Sequence, residues 1–166
     1  MYGKQTETAI AALSRLAEVW DGGRTRLSAG DIADQRGLPR AMVAKILSTL
    51  SQAGLVHGSP GPGGGYALSR DPKEISLRDA HELFERDDDS ANCPFGGGVC
   101  GVGDPCAMHD RLRAMQGAVR QLLDETSLEI FRKAVQEDGL KPVARGVRSD
   151  APRETYRAPH SRRPKV

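Results

Sequence analysis

The sequence predicts a mostly α-helical fold with one small β-hairpin, and three observations support this fold class. Apolar residues recur at helical spacing in three segments between residues 4 and 53, and a glycine follows each segment closely. Two short apolar runs then flank a glycine-rich stretch at residues 60–65. From Met108 onward, apolar residues repeat every three or four positions, which predicts a long helix with one apolar face.

The length and composition limit the class of protein. A chain of 166 residues, 38% of them hydrophobic, fits one domain of ordinary size with a tail. No apolar run approaches the roughly 20 residues that a membrane span requires, and the first residues lack the layout of a secretory signal. We therefore expect a cytoplasmic protein without membrane association, whose three cysteines are thiols or metal ligands rather than disulfides.

The charge is unevenly distributed along the chain. The net charge is +2, yet residues 140–166 hold 8 basic and 2 acidic residues, against 16 basic and 20 acidic residues in the remainder. Four prolines and the lack of apolar periodicity predict that this segment is a disordered basic tail. A solvated tail is the simplest interpretation, and a non-specific contact with nucleic acid is the alternative.

The first 53 residues predict three helices, at 4–20, 28–36 and 39–53. Ser28 is suited to cap the second helix, Gly37 ends it, and Pro39 fits the start of the third. A short helix, a glycine-containing turn and a longer helix form a helix-turn-helix. The inward-facing stripe predicted for the third helix is Val43, Ile46, Leu47 and Leu50.

Strand candidates at 55–59 and 66–69 flank the glycine-rich stretch and complete a winged helix, in which the third helix enters the major groove of DNA. A phosphate-cradling loop of a nucleotide-binding enzyme is disfavoured, because no Lys-Ser/Thr pair and no helix follow the glycines. The predicted DNA contacts are Ser28, Arg40, Lys45, Ser48 and Thr49. For each of these residues, the alternative is that its side chain is merely solvated on the helix surface.

A predicted fourth helix at 77–84 leads into a glycine-rich loop that holds every cysteine. Six residues separate Cys93 from Cys100, and five separate Cys100 from Cys106. Asp104 and the proline after it predict a helix start, which would put Cys106 in the first helical turn with His109 on the same face.

This spacing favours iron and sulfide over zinc. Structural zinc sites use cysteine pairs two to four residues apart, whereas soft thiolates in a loop with one further donor suit an iron-sulfur cluster. Three incidental thiols are one alternative. A redox enzyme with Cys106 as nucleophile is another, but the chain lacks a C-x-x-C pair and an acid-base array, so we predict no enzyme.

The long helix is predicted to pair with its copy in a homodimer, because its apolar seam needs a partner; packing on its own domain is the alternative. A two-fold dimer predicts a palindromic operator in double-stranded DNA. We divide the chain into a DNA-binding domain (1–76), a cluster loop with dimerisation helix (77–139) and a tail (140–166). The seam residues are Met108, Leu112, Met115, Val119 and Leu122.

Five segments resemble the Rrf-type winged-helix transcription regulators, in particular the branch of that family that carries iron-sulfur clusters. They are TAIAALSRLAEV, PRAMVAKILSTLSQAGLV, GPGGGYALSR, ISLRDAHELFE and the cysteine triplet with its following helix. The resemblance spans about residues 3–135, and the GPGGGY wing and the cysteines are its most specific parts. The first cysteine interval is one residue longer than the family pattern, so the loop path is expected to differ.

The resemblance implies a homodimeric regulator in which Cys93, Cys100 and Cys106 bind a cluster that senses iron-sulfur status, redox state or nitric oxide. It also implies two candidates for the fourth ligand. His109, at C-x₂-H spacing, favours a 2Fe-2S cluster, and Glu7, donated across the dimer, favours a 4Fe-4S cluster. The alternative function is a cofactor-free DNA-binding regulator whose cysteines are direct redox sensors.

Overall fold

The computed structural model describes residues 3–85 and 106–139, and within these ranges the mostly helical fold with one small hairpin is confirmed. No helix of the described ranges is long and apolar enough to span a membrane. The elements are α1 (Lys4–Glu18), α2 (Ala29–Arg36), α3 (Arg40–Gln52), β1 (Val56–Ser59), β2 (Gly65–Leu68), a 3-10 helix (Pro72–Glu74), α4 (Leu77–His81), α5 (His109–Glu125) and α6 (Glu129–Gln136).

The core lies where α1, α2, α3 and the hairpin meet. The predicted inward stripe of α3 is confirmed, since all four of its aliphatic side chains are buried. Leu13 and Leu16 of α1, Ile32 of α2 and Leu68 of β2 are buried in the same cluster. Each such side chain contributes about 1.5–3 kcal/mol by leaving water, so this contact fixes α3 against α1 and α2.

The hairpin is antiparallel and carries an added single-residue bridge. Val56 lies opposite Leu68 in the register of β1 and β2. Leu27 pairs with Tyr66 on the other side of β2 through two backbone hydrogen bonds, of 3.0 and 2.8 Å. A Cβ on Gly65, whose φ is +144°, would lie 2.8 Å from the backbone of Leu27, so glycine is needed for β2 to pair here.

Three predicted helix boundaries are wrong by two residues or more. α1 ends at Glu18 rather than at residue 20, and α4 ends at His81, with turns over the following residues. α5 begins at His109 rather than at Cys106, because the Cys106 carbonyl accepts a hydrogen bond from the His109 N–H (2.9 Å), a contact three residues apart that closes a turn. Cys106 therefore precedes the helix, and the prediction that it lies in the first helical turn is wrong.

The chain leaves α5 at Thr126 and returns to the winged-helix body. Thr126 has extended backbone angles (φ −99°, ψ 111°), and its carbonyl accepts the Leu77 N–H at 2.9 Å. The Leu128 N–H donates to the Ile75 carbonyl at 2.8 Å, and Leu128 is fully buried. The apolar seam of α5 consequently ends at Leu122.

α6 follows this return and was not predicted from the sequence. It packs against α1, and the Gln136 side-chain amide donates to the carbonyls of Glu18 (3.1 Å), the last residue of α1, and of Trp20 (3.0 Å), just after the helix. These bonds satisfy carbonyl groups that a helix terminus leaves without an intrahelical donor. The division of the chain into residues 1–76 and 77–139 stays a prediction, and the predicted tail at 140–166 lies outside the described residues.

Candidate nucleic-acid interface and cysteine segment

A capping box starts the helix-turn-helix. Asp31 donates its N–H to the Ser28 hydroxyl oxygen (3.1 Å), and the Asp31 carboxylate accepts the Ser28 hydroxyl (2.6 Å) and N–H (2.9 Å). The hydrogen bonds from Ser28 hold the pKa of the Asp31 carboxyl below its ordinary value. Gly37, with φ +63°, then ends α2 in the left-handed conformation. Ser28 thus lies at the exposed start of α2 with its hydroxyl engaged in the cap.

A buried ion pair ties α2 to α1 on the inner side of this motif. Arg36 Nη2 lies 2.5 Å from Glu18 Oε1, with side-chain exposures of 11% and 6%. The same guanidinium donates to the Ser14 hydroxyl (3.0 Å) and the Ala11 carbonyl (3.2 Å), and Arg15 also reaches Glu18 (3.0 Å). The network fixes the orientation of α2, and hence of the turn into α3.

The outer face of α3 is polar and open. Lys45 and Ser48 are exposed there, as predicted for DNA contacts. Thr49 is half-buried at the edge of this face, and its hydroxyl donates to the Lys45 carbonyl at 3.3 Å. Gln52, which is not among the predicted DNA contacts, is also exposed and continues the spacing of Lys45 and Ser48 by one more turn.

Arg40, the first residue of α3, pairs with Asp34 of α2. Arg40 Nε donates to Asp34 Oδ1 at 3.0 Å and Nη2 donates to Oδ2 at 2.6 Å. The hydrogen bonds from Arg40 hold the pKa of the Asp34 carboxyl below its ordinary value, and the carboxylate raises the pKa of Arg40. Unlike the inner pair, this pair is open to solvent, with side-chain exposures of 71% and 57%.

The predicted metal ligands fall partly outside the described residues. Cys93 and Cys100 lie in the segment 86–105, which is not described. Cys106 is half-buried, and His109, half-buried at the start of α5, follows it after one turn. Glu7 is exposed on α1. Within residues 3–85 and 106–139, no three His, Cys, Asp or Glu side chains gather in an arrangement that could hold a metal ion.

The chain that enters the cysteine segment is attached to α1. The Glu85 carboxylate accepts the Gly3 N–H (2.6 Å) and the Thr6 hydroxyl (2.5 Å), and these hydrogen bonds, with Thr6 the stronger cause, lower its pKa. Glu85 therefore caps the N-terminus of α1. Its partner Thr6 is the residue before Glu7 in this helix. The sequence gives no signal for this contact, because Glu85 lies 79 positions after Thr6 in the chain.

α5 turns most of its predicted seam away from the body. Met108, Met115 and Leu122 are 37%, 56% and 51% exposed, while Leu112 and Val119 are half-buried and Val119 packs against the core. Leu123, outside the predicted seam, is the buried residue of this helix. Near its C-terminal end, α5 is held to α4 by the ion pair between Asp124 and Arg78 (Nη2–Oδ2 3.1 Å).

A helix-turn-helix braced by α1 and followed by a glycine-tipped hairpin defines the winged-helix class of DNA-binding folds. Over residues 2–133 the sequence matches the Rrf2 family, described as iron-dependent transcriptional regulators, and the chain belongs to this family. It is 28% identical over 151 residues to the HTH-type transcriptional regulator IscR of Salmonella agona, which covers 90% of this chain and 88% of that protein. These relatives are transcription regulators and not enzymes.

Solved structures share the fold. CymR of B. subtilis, described as its global cysteine regulator, aligns with a TM-score of 0.65 at 24% identity, over 80% of this chain and 96% of that one. IscR of T. potens aligns with a TM-score of 0.63 at 22% identity, over 86% and 92%. CymR of Staphylococcus aureus reaches 0.61 at 25% identity, over 79% and 97%.

Proposed function

We propose that this chain is a homodimeric DNA-binding transcription regulator controlled by an iron-sulfur cluster held by Cys93, Cys100 and Cys106. The observation that carries the proposal is Cys106, half-buried one turn before His109 at the start of α5. Membership in a family of iron-dependent regulators supports it, and so does the similarity to IscR.

The donor chemistry fits such a cluster. Three thiolates supply soft sulfur ligands, and His109 supplies a nitrogen as the preferred fourth ligand, which favours 2Fe-2S. Glu7 is the alternative fourth ligand, from the α1 of the partner subunit, and favours 4Fe-4S. When bound, the cluster supplies a centre whose occupancy or oxidation state changes with iron, redox conditions or nitric oxide.

The chain's own residues would carry this change to the DNA-binding surface. Glu85 attaches the start of the cysteine segment to α1, and Arg78 attaches α4 to α5. α1 is in turn bonded to α2 through Glu18 and Arg36. Binding of the cluster by the cysteine segment would shift the population of chains whose α2 and α3 are positioned to bind DNA.

On DNA, α3 would lie in the major groove of each half-site of a palindromic operator. Lys45 and Ser48 are exposed on this helix and would reach base edges or phosphates, with Arg40 at the N-terminal end of the helix and Thr49 at its margin. Ser28 would lie beside a phosphate, where the N-terminal amides of α2 favour an anion. The wing, formed by β1 and β2, would lie along the phosphate backbone of the DNA.

The cluster is tested by purifying the full chain without oxygen and measuring iron, sulfide and absorption between roughly 300 and 500 nm. We expect a coloured protein, with the colour lost in Cys93→Ala, Cys100→Ala and Cys106→Ala while the secondary structure persists. His57→Ala, a substitution of a half-buried histidine in β1, serves as the matched control for His109→Ala. Full iron content in every cysteine variant would disprove the cluster.

The same measurement separates the two fourth ligands. His109→Ala alters the spectrum if the imidazole is a ligand, and Glu7→Ala alters it if the carboxylate is. If neither substitution changes the spectrum of an iron-loaded protein, both assignments are wrong and an external molecule fills the position.

The dimer is tested at Met115, which is 56% exposed in the middle of the α5 seam. Met115→Glu would put two carboxylates against each other across a two-fold interface, so we expect monomers in analytical ultracentrifugation. Arg113→Glu, a substitution of an exposed residue on the same helix but outside the seam, is the control and should remain dimeric. A Met115→Glu variant that sediments as a dimer would contradict the seam.

A second candidate is a cofactor-free regulator that senses oxidants through its cysteines. The half-buried Cys106 thiol supports it. So does the likeness to Staphylococcus aureus CymR, which is 25% identical to this chain and has also been solved in an oxidized form. This function predicts a colourless protein without iron whose DNA binding changes on oxidation and returns with a thiol reductant.

A further inference from the structure

The exposed ion pair between Asp34 and Arg40 contributes little to holding the fold together. Both side chains lie mostly in water, where ion pairs contribute little to stability, and neither belongs to the core. The geometry is nevertheless well defined, because two parallel hydrogen bonds, of 3.0 and 2.6 Å, join the guanidinium to the carboxylate. A bidentate pair of this kind restricts the rotation of a long side chain.

Asp34 bonds to one edge of the Arg40 guanidinium, and this determines which N–H donors remain available to another molecule. An arginine has five N–H donors in one plane, and Asp34 takes the Nε–H and one Nη2–H. The opposite edge, formed by Nη1 and Nη2, points away from this carboxylate and presents two parallel donors. Those two donors match the spacing of O6 and N7 on the major-groove edge of guanine.

The position of Arg40 in the fold suits the Nη1–Nη2 edge for contact with a DNA base. Arg40 is the first residue of α3, and the N-terminal residues of a recognition helix are the ones that contact base edges. Asp34 lies on α2, across the turn that the buried Arg36–Glu18 pair holds in place. The guanidinium is therefore anchored to the body of the motif on its Nε side.

We propose that Asp34 is a specificity-determining positioning residue, which holds Arg40 with its Nη1–Nη2 edge outward to read one guanine in each half-site. The inference rests on the proposed DNA binding and adds the base class that one residue pair recognises. Asp34 itself touches no base. Its effect on DNA binding passes through the orientation of Arg40.

The test begins with the full-length wild-type chain and a pool of random duplexes, from which the preferred half-site is selected. Dissociation constants are then measured by fluorescence anisotropy at one salt concentration, for the selected duplex and for duplexes with each guanine replaced. We expect one guanine per half-site at which the wild type discriminates by roughly 10- to 100-fold. In Asp34→Asn this discrimination should fall to a few-fold at that guanine and stay unchanged elsewhere.

Two variants separate orientation from charge. Asp31→Asn removes one negative charge from the same helix and leaves the bonds to Arg40, so it should keep the guanine preference. Because Asp31 also caps α2 at Ser28, any change in affinity in this variant should be the same for every duplex. Arg40→Lys keeps the positive charge but loses the planar fork, so it should lose the preference at the same guanine as Asp34→Asn. Thermal melting checks that each variant is folded.

The outcomes distinguish this inference from the function on which it rests. A wild type that selects no sequence would overturn DNA-sequence recognition and the reading of guanine with it. If the wild type selects a site but Asp34→Asn retains its guanine preference, only the role of Asp34 is wrong. A uniform gain of affinity for all duplexes in Asp34→Asn, with the preference intact, would also overturn it, since Asp34 would then merely neutralise Arg40.

Discussion

Two arginine-carboxylate pairs lie on opposite sides of α2, and their difference separates folding from recognition. The inner pair, Arg36 with Glu18, is nearly excluded from water and joins a network that includes Ser14 and a backbone carbonyl. The outer pair, Arg40 with Asp34, is open to solvent. The inner pair, which is largely shielded from water, fixes the motif. The outer pair lies in water and is accessible to a binding partner.

The largest expected effect is the loss of folding stability when the inner pair is broken. Glu18→Ala leaves the largely buried Arg36 guanidinium without its carboxylate, and we expect a loss of about 3 kcal/mol in the free energy of unfolding, because a charge that is mostly removed from water is costly when unpaired. Urea denaturation followed by circular dichroism measures this loss. Asp34→Ala is the matched control from the outer pair and should leave the midpoint unchanged. Equal midpoints for both variants would contradict the comparison.

A smaller effect, on DNA binding rather than folding, is expected at the outer pair. If Arg40 makes the proposed bidentate base contact, Arg40→Ala should lower affinity for the selected operator by roughly 10- to 100-fold. The denaturation midpoint should stay at the wild-type value. Anisotropy titrations at fixed salt measure the affinity, and unchanged binding would make Arg40 a solvated residue only.

The smallest effect is a shift in one titration. Arg40 lowers the folded-state pKa of Asp34, so the stabilisation from this pair is present above the ordinary carboxyl pKa of about 3.9 and is lost as pH falls through the lowered value. In Arg40→Ala the pKa of Asp34 should rise toward the ordinary value. NMR titration of the Asp34 side-chain carboxyl measures it, and an identical pKa in both proteins would show that the pair does not persist in solution.

Local patterns in the sequence predicted the winged-helix part well. The stripe of α3, the Ser28 cap, the left-handed Gly37 and the glycine-tipped hairpin all follow from the spacing and backbone preferences of neighbouring residues. α6 was missed because no proline or glycine near Thr126 marks the end of α5 in the sequence. The break depends on backbone bonds to residues 75 and 77, far away in the sequence.

The candidate site divides in the same way. Spacing along α3 identified Lys45 and Ser48 as outward-facing, whereas the metal-binding loop indicated by the glycine-rich surroundings of Cys93, Cys100 and Cys106 stays a prediction. The tertiary structure alone reveals that Asp34 holds Arg40, that Glu85 caps α1 and that Cys106 precedes α5 instead of starting it. Periodicity and turn chemistry act between near neighbours in the chain, whereas a side chain's partner across a turn or a domain depends on how the helices pack.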